Sequence, residues 1–191
     1  KFVFVSIALM VGAMLFLYWV LSGSLGVSAI VTVVMAITAF LFAAVAGFLV
    51  SIIGSSSNPI SGLTLSTLLI AAGLLMLLGM GGSYLSDGVT MSEAMRTGVL
   101  AVLGVATVVC CVAGVAGDMA QDWKVGHLLG GTPWRMEIGG LVGVVTAALF
   151  LVVIITLLHK TTPGGIGGDL LPAPQAGLMA MLSEGIVGGQ M

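Results

Sequence analysis

The most restrictive feature of the sequence is a stretch of 85 residues, from Phe2 to Ser86, that contains no Asp, Glu, Lys, Arg or His. A helix that crosses a bilayer needs about 20 consecutive apolar residues. The stretch is therefore long enough for three such helices, separated by small polar residues instead of charges. Its runs are continuously apolar and do not alternate with period two, as the strands of a membrane barrel do. We therefore expect an all-α, polytopic membrane helix bundle.

The composition excludes several other classes of protein. Of the 191 residues, 59% are hydrophobic and only 6% are charged, with a net charge of −2. A soluble domain carries about a quarter charged residues, so this chain is neither an ordinary soluble enzyme nor a disordered tail. A nucleic-acid partner is excluded because binding to phosphates needs a basic patch. The two cysteines, Cys110 and Cys111, are adjacent, which excludes a disulfide framework.

Breaks in the apolar pattern predict the membrane spans. A single transmembrane portion, 1–191, is expected, and it is expected to be a piece of a longer protein. Tyr18 and Trp19 are expected at the headgroup boundary, where aromatic side chains with a polar tip are favoured. The predicted spans are 2–21, 27–53, 60–80, 97–117 and 138–158, and a half-span or interfacial helix is predicted at 173–187.

The first polar break lies between two uncharged spans and covers residues 54–62. Pro59 interrupts a continuous helix and suits the first turn of the next one, with Asn58 or Ser57 as its cap. Such a helix N-terminus favours an anionic group. An ordinary hairpin loop at the membrane surface is the alternative. The candidate residues for a substrate path are Ser55, Ser56, Ser57, Asn58, Pro59, Ser61 and Gly62.

The second polar segment, 117–135, follows the predicted fourth span. Asp118 and Asp122 are four residues apart and would share one face of a helix, with Gln121 and Lys124 close to that surface. A carboxylate at the end of a membrane span is costly in lipid, so these four residues are candidates for coupling or gating. A solvated loop is the alternative. No metal site is predicted, because His127 has no spaced partner ligands.

The third segment, 162–178, is glycine-rich and contains the candidate path residues Pro172, Pro174 and Gln175. Residues 59–63 and 174–178 match as Pro-x-small-Gly-Leu. Interrupted helices at matching positions mark the binding site in transporters built from inverted repeats. Counting three spans between them predicts that the two helices run antiparallel, with their first turns closer together than their last. A chance match in a Gly- and Leu-rich sequence is the alternative.

Three blocks resemble the oligopeptide transporter (OPT) family, and its prokaryotic-type members most closely. They are residues 54–64, 116–134 and 171–176, in the order expected for the family. The resemblance implies secondary active transport of small peptides or metal–chelate complexes, usually coupled to protons, by a multi-pass protein of the plasma membrane. It implies no cofactor and no catalytic residue. The implied partners are the substrate, the bilayer and the rest of a longer chain, and a homo-oligomer stays open.

Two other classes of function stay open at the level of the residues. A channel or a structural membrane subunit needs only packed helices and a lined pore. An intramembrane enzyme would need a nucleophile with a base, or two metal ligands, within the spans. The predicted spans contain no His, Asp or Glu, so an enzyme is not expected.

Overall fold

The computed structural model of the protein describes residues 2–22, 25–78 and 93–189. Every regular element in these ranges is a helix, which confirms the predicted all-α fold. A one-turn 3₁₀ helix, Ser55–Ser57, lies between the second and third α-helices. Residues 79 and 80 of the predicted third span lie outside the described part. The helices are α1 (Phe2–Ser22), α2 (Leu25–Ile53), α3 (Ile60–Leu77), α4 (Glu93–Leu128), α5 (Pro133–Thr161) and α6 (Pro174–Val187).

Four stretches of the described chain are long and apolar enough to cross a membrane. Their lengths match or exceed the roughly 20 residues that a bilayer requires. The described apolar part of α1, Phe4–Val20, is shorter. The chain is therefore part of an integral membrane protein. The four stretches are Ser28–Ile53, Ser55–Leu77, Met95–Leu128 and Pro133–Thr161.

The fourth helix extends further than its apolar run. The sequence predicts its end at residue 117, whereas α4 continues to Leu128. The helix continues through Gly126, and the turn comes only at Gly130, whose φ is +73°, shortly before Pro133 opens α5. A charge that follows an apolar run does not by itself end a helix, whereas a glycine with positive φ followed by a proline is a strong stop signal. The coupling candidates therefore lie on a helix and not in a loop.

Helix α4 lies at the centre of the bundle and contacts all five other α-helices. Helix α2 runs parallel to it, because a Cβ at Gly47 would lie 3.8 Å from the Ala116 carbonyl oxygen and one at Gly54 would lie 3.7 Å from Gln121 Nε2. Helix α3 runs antiparallel to α4, because Ile60 at its start lies 3.7 Å from a Cβ at Gly114, whereas Met76 near its end and Met95 near the start of α4 both lie beside the neighbouring residues Gly188 and Gly189. We define face 1 as the side where α3 ends and α4 begins, and face 2 as the side where α2 ends and α3 begins.

The core between α2, α3 and α4 is built mainly from small and medium side chains, among them Met35, Leu68, Val102 and Val109. Close packing of such side chains is what holds membrane helices together, because lipid tails are as apolar as the core. Tyr18 belongs to this core and is only 2% exposed. Its hydroxyl lies 3.3 Å from a Cβ placed at Gly104. Tyr18 therefore packs inside the helix bundle, and its place at the headgroup boundary stays a prediction.

The direction of α6 contradicts the predicted inverted repeat. Helix α6 packs against α3 and α4. A Cβ at Gly189 would lie 3.8 Å from the Met76 methyl group, and one at Gly188 would lie 2.9 Å from the methyl group of Met95. The C-terminal ends of α3 and α6 are therefore together. Two helices that pack side by side in this way run in the same direction, so the predicted antiparallel pair is wrong.

Candidate functional site

The break between α2 and α3 is a tight reversal at face 2. Gly54 adopts a φ of +88°, a conformation that side-chain-bearing residues rarely adopt. The Ser57 amide then donates to the Gly54 carbonyl at 3.2 Å, and the Asn58 amide donates to the Ser55 carbonyl at 3.1 Å. The polar residues between two apolar helices thus form one compact turn, which we call the 54–62 break.

The 54–62 break packs directly against α4. Asn58 Nδ2 donates to the Ala113 carbonyl oxygen at 3.3 Å. A Cβ at Gly117 would lie 2.5 Å from Asn58 Nδ2 and 3.0 Å from Val50 Cγ2. Only a glycine leaves room for the Asn58 side chain at this position. Asn58 Oδ1 is buried and has no hydrogen-bond partner among the described groups.

The first turn of α3 is not capped by a side chain. Pro59 occupies the cap position, where no side-chain hydrogen bond is made, because Asn58 is directed at α4 instead. The prediction of Asn58 or Ser57 as the cap is therefore wrong. The backbone amides of Ser61 and Gly62 make no hydrogen bond among those described, and both residues are exposed. Free amides at a helix start attract an anionic group.

The four coupling candidates on α4 face two different grooves. Asp118 and Asp122 line a groove of about 480 Å³ between α4 and α5, together with Glu137. Gln121 and Lys124 line another, of about 620 Å³, between α4 and α2, together with Ser51. The two aspartates share a face as predicted, but Gln121 and Lys124 do not lie on it.

The third segment begins with a turn built on an imidazole ring. The Ile166 amide donates to His159 Nδ1 at 3.1 Å. A Cβ at Gly165 would lie 2.6 Å from His159 Cε1, and the φ of Gly165 is +66°. The predicted path residues of this segment are exposed, and no described contact joins them to the 54–62 break. They are Pro172, Pro174 and Gln175.

Sequence reasoning missed three residues of these sites. Gly117 is the last residue of a predicted span. Its close contact with Asn58 depends on which part of the chain packs against it. His159 closes a predicted span, and only the fold brings the Ile166 amide onto its ring. Asp169 is an exposed carboxylate between α5 and α6. Asp169 could have been found in the sequence as an isolated carboxylate in a glycine-rich loop that leads into an apolar helix.

Metal ligation is not provided by the described residues. No group of three or more His, Cys, Asp or Glu side chains within 2–22, 25–78 and 93–189 is placed to hold a metal ion. Cys110 and Cys111 are free thiols on α4, the first half-buried and the second exposed.

These features define a polytopic helical membrane protein with polar groups at a broken helix and at helix ends. The family model described as "OPT oligopeptide transporter protein" matches residues 1–191. The chain belongs to this family, as its motifs predicted. It is similar to a Haemophilus influenzae protein named "Putative oligopeptide transporter", with 30% identity over 159 residues.

The alignment with the Haemophilus influenzae protein covers 77% of this chain and 24% of the relative. The chain thus spans about a quarter of the length of this curated relative. No solved structure matches the chain.

Proposed function

We propose that the protein containing this chain is a secondary active transporter that carries small oligopeptides across the plasma membrane, coupled to protons. Membership of the OPT family supports the peptide substrate. The observation that carries the proposal further is the 54–62 break. Its uncapped amides lie at the start of a membrane helix, next to the polar end of α4.

The chemistry of a peptide suits this arrangement. A short peptide is zwitterionic, with a carboxylate at one end and an ammonium group at the other. The free amides of Ser61 and Gly62 suit the carboxylate, because they carry the positive end of the α3 dipole. Gln121 and Lys124 line the adjoining groove between α2 and α4 and supply further donors to peptide oxygens. Ser51 lines the same groove, but its hydroxyl donates to the Gly47 carbonyl oxygen at 2.6 Å.

Proton coupling is assigned to the opposite side of α4. Asp118 and Asp122 line the groove toward α5, and both are exposed in this chain. A carboxylate takes up a proton more readily when its surroundings become dry. Alternation between a wet and a dry groove would therefore bind and release a proton in step with the substrate.

Uptake into proteoliposomes tests the proposal. The full-length protein is reconstituted and offered labelled di- to pentapeptides, with and without an inward proton gradient. We expect peptides to accumulate above the external concentration only with the gradient, and a protonophore to abolish accumulation. Equilibration without accumulation would indicate a channel. Metal chelates are assayed in parallel, and accumulation of chelates without peptides would overturn the substrate assignment.

Two substitutions test whether the 54–62 break lies in the transport path. Pro59→Ala and Gly62→Leu should reduce uptake at least tenfold while membrane insertion is kept. A Cβ at Gly62 meets no atom within 4 Å, so the larger side chain changes access to the free amides and not the packing of this chain. Wild-type uptake by the double variant would show that the break is an ordinary surface loop.

A further inference from the structure

The course of the chain after α4 carries an inference about the segment 162–173. Helix α5 begins beside the end of α4, where Met136 contacts Gly126. Further from this contact, Val115 and Val144 line the same groove between the two helices. Helix α5 therefore runs back along α4 toward face 1.

Helix α5 is long enough to reach face 1. Its 29 residues correspond to about 43 Å, more than the roughly 30 Å of a hydrocarbon core. Thr161 lies 17 positions after Val144, and 17 positions back from Val115 leads to Gly98, near the start of α4. Continued straight in the direction it takes along α4, α5 ends at the level of face 1.

Helix α6 also ends at face 1, where Gly188 and Gly189 meet Met95 and Met76. It runs beside α3 and in the same direction. Its 14 residues correspond to about 21 Å, which is too short to cross the core. Its first residue, Pro174, therefore lies about 21 Å inward from the end at face 1.

The connection between these two helices must then run inward. Twelve residues, 162–173, join an α5 end at face 1 to an α6 start inside the membrane. Fully extended, they span at most roughly 40 Å, which is enough even though the Gly167 amide closes a turn on the Leu171 carbonyl at 2.8 Å. The His159 ring anchors the start of this connection through Ile166.

Lipid cannot surround such a segment. Irregular backbone at membrane depth occurs only where protein covers it or where it lines a water-filled cavity. Asp169 and Gln175 are exposed in this chain, and a carboxylate is not placed in lipid. We propose that residues 162–173 re-enter the membrane from face 1 and line a water-filled cavity together with the first turn of α6.

The proposal rests on the proposed function in one respect only, in that the cavity would be part of the peptide path. The topology itself needs no transport activity. Failure of peptide uptake would leave the re-entrant segment standing, and a crossing α6 would leave peptide uptake standing.

Single-cysteine labelling of the full-length protein in membrane vesicles tests the topology. All cysteines of the full-length protein, Cys110 and Cys111 among them, are first replaced by Ala. Thr161→Cys and Gly189→Cys then report the face on which each end of the segment lies, with an impermeant maleimide added to vesicles of either orientation. We expect both to label from the same face. Labelling from opposite faces would show that α6 crosses the membrane and would overturn the proposal.

A second pair of variants tests the cavity. Gln175→Cys should react with the impermeant maleimide at least tenfold faster than Leu149→Cys, which lies on the apolar surface of α5 and is 69% exposed in this chain. Equal, slow labelling of both would show that the start of α6 is dry and would overturn the cavity. Protection of Gln175→Cys by a transported peptide is expected as well, and its absence would remove the cavity from the peptide path.

Discussion

Helices α4 and α5 are both long and apolar, yet α4 contributes buried residues to the core of this chain and α5 does not. Helix α4 contributes Val102, Val105 and Val109 to the core, each at most 1% exposed. Helix α5 has no buried residue, and among the described helices it contacts α4 alone. The overall apolarity required for a bilayer does not distinguish them.

Both helices contain glycines, but only those of α4 have partners on other elements. Gly104 and Gly117 of α4 are each in close contact with a side chain of another helix or of the 54–62 break. A Cβ placed at Gly139, Gly140 or Gly143 of α5 would meet no atom within 4 Å. Packing between membrane helices depends on close approach at small residues. A glycine is therefore informative only when its partner is known.

The largest expected effect is a difference in stability between two Leu→Ala variants, one at a core side chain of α3 and one at a surface side chain of α5. Leu68 is 0% exposed, and Leu68→Ala leaves a cavity that lipid cannot fill. We expect a loss of about 2 kcal/mol, at the low end of the range for core leucines because lipid also solvates apolar side chains. Leu149→Ala should cost less than about 0.5 kcal/mol.

Unfolding of the two full-length variants in detergent micelles measures this difference. A clear drop in the melting temperature is expected for Leu68→Ala alone. Equal drops for both would show that the rest of the protein covers α5, and the contrast between the helices would then hold only within this segment.

The next largest expected effect is the loss of stability when a side chain is added at a glycine of α4, compared with a glycine of α5. A side chain at Gly117 would collide with Asn58 and Val50, whereas one at Gly143 meets open space. Gly117→Leu should therefore destabilise the protein by about 1–3 kcal/mol, as overpacking does. Gly143→Leu is the matched control on α5 and should have a smaller effect. If the two melting temperatures fall equally, Asn58 and Val50 do not pack closely against Gly117.

Much of this fold could be predicted from the sequence, because apolar runs and helix breakers are local signals. Gly54 and Pro59 mark the α2–α3 break to within a few residues. The predicted end of α4 is eleven residues too early, since Asp118 marks the end of the apolar run although the helix continues through Gly126 to Leu128. A charge is compatible with a helix that leaves the membrane, so polarity alone does not end one.

The candidate site was harder to predict, because it depends on which surfaces meet. The spacing of Asp118 and Asp122 predicts a shared face, but it does not reveal that this face lies toward α5 while Gln121 and Lys124 lie toward α2. The match between the Pro59 and Pro174 segments is equally local. It contains no information about the direction of α6, which the contacts at the C-terminal end of that helix reveal.

A smaller effect is expected at Asn58. Asn58→Ala removes the hydrogen bond to the Ala113 carbonyl and should cost about 1 kcal/mol. Asn58→Asp should cost more, because it removes the donor and places a carboxylate against a carbonyl oxygen. The ranking of the two melting temperatures is the measurement. If Asn58→Asp is as stable as wild type, the side chain does not face α4.

The smallest effect on stability is expected where α4 faces α5. Asp118 and Asp122 are exposed, so Asp118→Asn and Asp122→Asn should each change stability by less than about 0.5 kcal/mol. Both should nevertheless alter the pH dependence of peptide uptake, because they remove a titratable carboxyl from the α4–α5 groove.

Lys124→Met is the control in the other groove. It removes a charge from the groove toward α2 and leaves both carboxyls of the α4–α5 groove in place, so it should lower the rate of uptake without changing the shape of the pH profile. The profiles are measured in proteoliposomes across the mildly acidic to neutral range. If neither aspartate variant differs from wild type, the coupling proton is not carried on this face of α4, and the division of α4 into a substrate side and a proton side is wrong.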